Sequence, residues 1–220
     1  MVFGICIHFT KRKKNMSTII VTGSVRCGSS LTMRMLESCG IPIIQDGFKQ
    51  PDTQNPNGYY ETRQVYAMNN GNFDVLNDSD GKAVKILPPT IVQHMPNDRQ
   101  FKTIFLLRDP LEVSKSFYKY HVHRATLKEG TVMQTEEQYL SHFIPDHLRR
   151  INTAKEWVNT HSNFDVLWVE HNALMNTPLV ETTRICQFLS SDFPQYTYDP
   201  TAMAALVDLN LYTQRQSTSP

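Results

Sequence analysis

The chain of 220 residues has few cysteines, no long apolar run and no excess of charge of one sign. Its four cysteines, Cys6, Cys27, Cys39 and Cys186, show no CxxC spacing and are too sparse for a disulfide framework. That pattern points to a reducing, cytoplasmic compartment. No run approaches the roughly 20 apolar residues of a membrane span, so no transmembrane segment is expected. The 22 basic and 21 acidic residues leave a net charge of +1. No global field therefore draws the protein onto nucleic acid or an anionic membrane, and any anion has to be bound locally. Internal repeats, low-complexity tracts and a dividing linker are also missing. What remains, with 40% apolar side chains, suffices for one sizeable core and excludes disorder as the overall state.

Near the start, an apolar stretch (residues 2–9) precedes the basic run Lys11-Arg12-Lys13-Lys14. A secretory signal has the opposite order, charge before the apolar segment. Residues 1–15 therefore read as a disordered extension or a start assigned too early, and residues 16–220 as the domain. From Met16 onward, short β-branched runs alternate with amphipathic stretches, the pattern of strands joined by crossover helices. The expected fold is α/β, a single P-loop-like domain with a central parallel sheet flanked by helices. Strands are expected at residues 18–22, 82–87, 101–107 and 164–169. Helices are expected at 29–38, 61–69 and 178–189, with one opening at Asp109-Pro110. Residues 134–143 and 146–161 read as two further helices separated at Pro145, which lacks a backbone donor. Residues 47–60, rich in Gly, Pro, Asn and Asp, read as a long surface loop.

Two segments carry chemistry. Thr22-Gly23-Ser24-Val25-Arg26-Cys27-Gly28-Ser29-Ser30-Leu31 joins a buried strand to a helix, and the amides at that helix start form a ready anion site. Gly23 and Gly28 have the GxxxxG spacing of a P-loop, but Ser29 stands where an NTPase places its lysine. Arg26 supplies a cation from another position. Alone, this loop is equally read as a tight turn with an incidental arginine. The second segment, Arg108-Asp109-Pro110, ends a strand, with Ser116 eight residues later on the next helix. Arginine and serine can jointly hold a phosphate, and ligands of open α/β sheets sit outside the carboxyl ends of strands.

Together these segments resemble the sulfotransferase family that uses 3′-phosphoadenosine 5′-phosphosulfate, in particular its bacterial-type members. TGSVRCGSSL is similar to the family's 5′-phosphosulfate loop, and Arg108-Asp109-Pro110 with Ser116 to its 3′-phosphate motif. Asn55-Pro56-Asn57-Gly58-Tyr59-Tyr60-Glu61 resembles an NPxGY/F-E stretch of bacterial-type members. Val169-Glu170-His171-Asn172-Ala173-Leu174 with Pro178 and Phe188-Leu189 resembles the family's YEDL stretch and the helix after it. The tail, residues 209–215, is similar to their basic ending, and the likeness spans roughly residues 17–215. The resemblance implies transfer of a sulfuryl group to a hydroxyl or amine acceptor. Arg26, Gly28, Ser29 and Ser30 would hold the 5′-phosphosulfate, and Arg108 and Ser116 the 3′-phosphate. A sulfuryl group in transfer carries less charge than a phosphoryl group, so Arg26, Lys85 and loop amides suffice to stabilise it and no metal is expected. The alternatives are a nucleotide-binding relative that has lost catalysis and, against the missing GK[ST], a P-loop nucleotide kinase.

The chain departs from the family at the base. Lys85-Ile86-Leu87-Pro88-Pro89 is similar to the lysine-bearing strand end of cytosolic members, but Leu87 replaces their histidine, and their GxxGxxK segment is missing. Glu61, beside the loop expected to border the acceptor, is the preferred base, with a pKa raised by partial burial. His94 is its rival. His121, His123, His142 and His147 lack metal-ligand spacing and read as surface or groove residues. Trp157 and Trp168 read as core, and Glu170 as a structural acceptor. Residues 120–134 join the 47–60 loop as expected acceptor contacts.

Overall fold

A computed structural model describes residues 17–126 and 133–212, leaving aside the side chains of residues 93 and 94. Residues 1–16, the tail beyond Tyr212 and residues 127–132 of the expected acceptor region at 120–134 lie outside the described residues. The sheet contains β1 (Thr18–Gly23), β2 (Ala83–Lys85), β3 (Phe101–Leu107) and β4 (Phe164–Glu170) in the order β2-β1-β3-β4. Every pairing is parallel, with Val21 opposite both Lys85 and Ile104, and Ile104 opposite Leu167. The α/β reading holds.

The helices are α1 (Ser29–Ser38), α2 (Arg63–Ala67), α3 (Asp74–Asn77), α4 (Pro88–His94), α5 (Pro110–Thr126), α6 (Glu136–Thr160), α7 (His171–Asn176), α8 (Pro178–Ser190) and α9 (Pro200–Ala204). β1 is buried throughout because it is central and helices cover both faces. Its alternation divides the core. Ile19 and Val21 join Met35, Leu36, Ile104, Leu106 and Ile185 on one face. Ile20 meets Val84, Ile91, Phe101, Phe105 and Val158 on the other. Trp157 and Trp168 pack against this second cluster, in keeping with a core role.

Local expectations needed several corrections. Residues 134–143 and 146–161 do not form two helices: α6 runs unbroken through Pro145. A capping box between Thr135 and Gln138 starts it, and Ile151, Ala154 and Val158 bury one face beyond the proline. Across Pro145, Tyr139 stacks on Phe143 at 5.4 Å and Phe143 on His147 at 5.7 Å. These i,i+4 ring pairs offset part of the cost of the lost hydrogen bond. His147 is consequently buried rather than on the surface. Pro88 and Pro89 open α4, as suits proline in a first turn, whose N–H would be unpaired in any case. The expected 61–69 helix begins only at Arg63, capped by the Thr62 hydroxyl, and tightens into a 3-10 turn at Met68–Asn70. Glu61 therefore precedes the helix in non-helical backbone. Glu170 is exposed.

Candidate active site

The chain order of the sheet decides where a ligand can sit. β1 is flanked by β2 and β3, so the connections leave β1 and β3 in opposite directions and open a crevice at their carboxyl ends. The loop after β1 supplies Arg26, and Arg108 follows β3. A cleft of about 630 Å³ lies there. Six cations line it, Arg26, Arg34, Lys49, Lys85, Arg108 and Lys119, against two carboxylates, Glu61 and Asp208. The near-neutral chain thus concentrates positive charge in one place.

The β1–α1 loop depends on its glycines. Gly23 has φ 139°, and a Cβ there would collide with the Leu106 carbonyl oxygen and with Cys27 Sγ. Gly28 has φ 90° and serves as the N-cap of α1 with no side chain capping the first turn. The α1 amides are left for an anion. A Cβ on Gly28 would lie 2.9 Å from His171 Cδ2. Arg26 itself takes a left-handed backbone, φ 62°, which is costly for a side-chain-bearing residue and which its neighbours hold in place. Its Nε donates to Ser116 Oγ at 3.1 Å and its Nη2 to the Gln54 carbonyl at 3.1 Å. Arg108 Nη1 donates to the Arg26 carbonyl at 2.6 Å. Asp109 caps α5, its Oδ1 accepting from Leu111 N at 2.9 Å and Glu112 N at 3.0 Å. Two loops separated in sequence therefore share one wall, with Arg26, Arg108 and Ser116 together.

Residues 47–60 fold back over this wall. Asp52 Oδ1 accepts from the amides of Gln54 and Asn55, and Tyr59 OH donates to both Asp52 oxygens. Asn55 Nδ2 then reaches Ser30 Oγ at 3.1 Å, while Ser30 Oγ donates to the Tyr59 carbonyl at 3.3 Å. The Asn-Pro-x-Gly-Tyr stretch is thus a clasp on the start of α1.

Beyond the clasp is the most tightly coupled charge group in the cleft. Lys85 Nζ, at the end of β2, donates to Glu61 Oε1 at 3.1 Å, to the Tyr59 carbonyl at 3.0 Å and to Ser30 Oγ at 3.4 Å. Lys49 Nζ lies 3.4 Å from Glu61 Oε2, and Tyr66 OH donates to that oxygen at 2.9 Å. Burial pushes the Glu61 carboxyl up, but Lys85, Lys49 and the Tyr66 phenol outweigh it and hold the group below its ordinary value. The expected upward shift is therefore corrected. Lys85 is more deeply enclosed, and burial draws it below the usual ammonium range despite Glu61. Leu87, Phe117 and Tyr120 continue the cleft past this pair. His94 ends α4, and its side chain lies outside the described residues.

Two cleft residues had no role assigned from sequence. His171 is 5% exposed, faces Gly28, and has an Nδ1 without a hydrogen-bond partner among the described residues. Burial, reinforced by Arg108, pulls its pKa down to about 3, so the ring is neutral at physiological pH. Tyr212 reaches the same wall from near the C-terminus. Both lie in stretches that the family resemblance covers, but nothing local gives either a role, since each acts through partners far away in sequence. Among the described residues, no three His, Cys, Asp or Glu side chains converge as a metal site, and no helix is long and apolar enough to cross a membrane.

No curated protein matches the chain by sequence. Among solved structures, mouse sulfotransferase SULT7A1 complexed with PAP is 13% identical, with 92% of this chain and 67% of that one covered at a TM-score of 0.49. A sulfotransferase from Alicyclobacillus acidocaldarius is 16% identical, covering 89% and 98% at a TM-score of 0.43. The sulfotransferase domain from the curacin biosynthetic pathway is 12% identical, covering 93% of each chain at a TM-score of 0.46. The sulfotransferase domain family model matches residues 16–207, nearly the whole chain, and the protein belongs to the sulfotransferase family.

Proposed function

We propose that this sulfotransferase moves a sulfuryl group from 3′-phosphoadenosine 5′-phosphosulfate to an acceptor hydroxyl or amine in the cleft between the β1 and β3 loops. The observation that carries the reading is the meeting of the uncapped α1 N-terminus with Arg26, Arg108 and Ser116 at the carboxyl ends of two central strands. The site fits a polyanionic nucleotide, since helix amides, two arginines and a hydroxyl present donors and charge without needing a metal. Arg26, Gly28, Ser29 and Ser30 would hold the phosphosulfate end, with Arg108 and Ser116 at the 3′-phosphate. Arg26, bonded to Ser116, stands between the two ends.

In transfer, the bond from sulfur to the bridging phosphate oxygen breaks as the bond from sulfur to the acceptor forms. Lys85, tied to Ser30, would oppose the charge growing on the leaving oxygen. Glu61 would take the acceptor's proton. It is ionised at neutral pH and ready to accept a proton, and its low pKa makes it a weak base whose strength rises as the Lys85 contact loosens. Leu87, Phe117 and Tyr120 give the acceptor end an aromatic and aliphatic wall. The sparse cysteines, with no CxxC spacing, support a reducing, cytoplasmic setting.

The test is to incubate the protein with labelled donor and a panel of alcohols, phenols, amines, glycans and lipids. The expected result is labelled sulfated acceptor together with 3′-phosphoadenosine 5′-phosphate. Nucleotide binding without turnover across the panel would identify a non-catalytic binder, and ATP hydrolysis would identify a kinase.

A further inference from the structure

Arg108 is restrained from several sides. Its Nε donates to Glu112 Oε2 at 3.0 Å, its Nη1 is taken by the Arg26 carbonyl, and its guanidinium carbon lies 5.4 Å from the Tyr212 ring centroid. Nη2 makes no hydrogen bond to a described residue. Among the described residues that nitrogen is uncommitted, and Arg108 lines the cleft. Glu112, one turn into α5, is 2% exposed. A carboxylate so deeply enclosed needs its remaining lone pairs satisfied.

Tyr212 answers that need from 100 residues away in sequence. Its hydroxyl lies 3.2 Å from Glu112 Oε1 and 3.1 Å from Oε2, and it also bonds Asn172 Oδ1 on α7. The ring is 6% exposed and stands edge-on to His171 at 5.0 Å. An ionised carboxylate beside an arginine favours the two-pronged arrangement, both oxygens against two guanidinium nitrogens. If Glu112 adopted it through Nε and Nη2, it would cover the edge that an incoming phosphate requires. Sharing its one proton among the two carboxylate oxygens and Asn172 Oδ1, the Tyr212 phenol helps to hold the carboxylate at Nε, away from Nη2.

We propose that Tyr212, acting through Glu112, is a positioning residue that keeps one edge of Arg108 open to the cleft and so sets the preference for a nucleotide bearing a 3′-phosphate. The inference rests on the donor reading above. It makes the last turn before Tyr212, Leu209–Leu211, a strap that carries specificity as well as closing the fold.

Calorimetry on the full chain with two probes, 3′-phosphoadenosine 5′-phosphate and adenosine 5′-phosphate, tests it. Tyr212→Phe keeps the ring and removes the hydroxyl. Its affinity for the first probe should fall about tenfold, the scale of one hydrogen bond to a charged group, with less than about twofold change for the second. Glu112→Gln should shift the ratio in the same direction, and the double variant should be no worse than Glu112→Gln alone, because the hydroxyl acts through that carboxylate. Thermal unfolding confirms that each variant is folded, and Tyr212→Phe decides alone if Glu112→Gln is not. An unchanged ratio in Tyr212→Phe, or equal weakening of both probes, overturns the inference while leaving the donor reading intact. A wild-type protein that binds both probes alike overturns the two together.

Discussion

Replacing Glu61 by glutamine is the sharpest test of the acceptor side, because the substitution keeps the shape and removes only the charge and the ability to take a proton. The fold should tolerate it. Lys85 retains the Tyr59 carbonyl at 3.0 Å and Ser30 Oγ at 3.4 Å, and the new amide oxygen still accepts from it. Lys49 is 31% exposed and is solvated without the carboxylate. The stability cost should therefore fall at the lower end of the roughly 1–3 kcal/mol for a weakened buried partner. Transfer should suffer far more. Loss of a general base typically costs about 10²- to 10⁴-fold, or about 3–5 kcal/mol on the barrier. The assay is single-turnover transfer with donor saturating, run beside His94→Asn. The pH profile adds a second criterion. Glu61 lies below its ordinary 4.5, so a rate governed by it stays flat from about pH 8 down to about pH 5.5, whereas a histidine base gives a limb near 6.5. The same depressed value fixes the sign for stability. Its contribution is complete above about pH 4.5 and is lost as pH falls through the lower folded value, so Glu61→Gln should flatten the stability curve there. A nearly intact rate in Glu61→Gln, or a limb near 6.5 that His94→Asn abolishes, would refute the assignment.

Arg108→Ala should weaken 3′-phosphoadenosine 5′-phosphate by about ten- to a hundredfold and erase discrimination against adenosine 5′-phosphate, both read by calorimetry. A chelator should leave the transfer rate nearly unchanged, because Arg26, Lys85 and the α1 amides supply the charge stabilisation; activity lost in EDTA and restored by magnesium contradicts this. Gly28→Ala should cost about 1–2 kcal/mol for its left-handed backbone alone, and more because the new Cβ meets His171. Thermal unfolding of that variant with and without His171→Ala separates the two costs, and only the second should be relieved. Pro145→Ala should raise the melting temperature, since α6 already runs unbroken through that position and regains a hydrogen bond; a lowered one would mean that the proline is required there.

The sheet and the junctions that carry Arg26 and Arg108 were legible for a common reason. A buried β-branched run, a turn bearing Gly or Asp-Pro and an amphipathic helix are local signals, and both Arg26 and Arg108 lie within such junctions. Pro145 misled because its local penalty is plain in sequence, whereas the rings of Tyr139, Phe143 and His147 offset it only once a helix has stacked them. Glu61 was legible as a residue but not in its electrostatics. Burial was anticipated, while Lys49, Lys85 and Tyr66 arrive from three separate segments and reverse the direction of the shift.

The same distinction explains why the donor wall is assembled as it is. Arg108 reaches the carbonyl of Arg26 across 82 residues of sequence, and that is possible only because β1 and β3 are neighbours in the sheet. Hydrophobic patterning marks β1 and β3 as buried strands, but it does not decide which strand lies on which side of them. The order is instead selected by what it brings together. Only with β3 beside β1 can Arg108 take the Arg26 carbonyl and Arg26 reach Ser116 on α5, so the contacts that support the left-handed turn of the loop also place two arginines on one wall of the cleft. The strained turn and the proposed donor site are therefore one structure, and changes that relax the turn should also weaken donor binding.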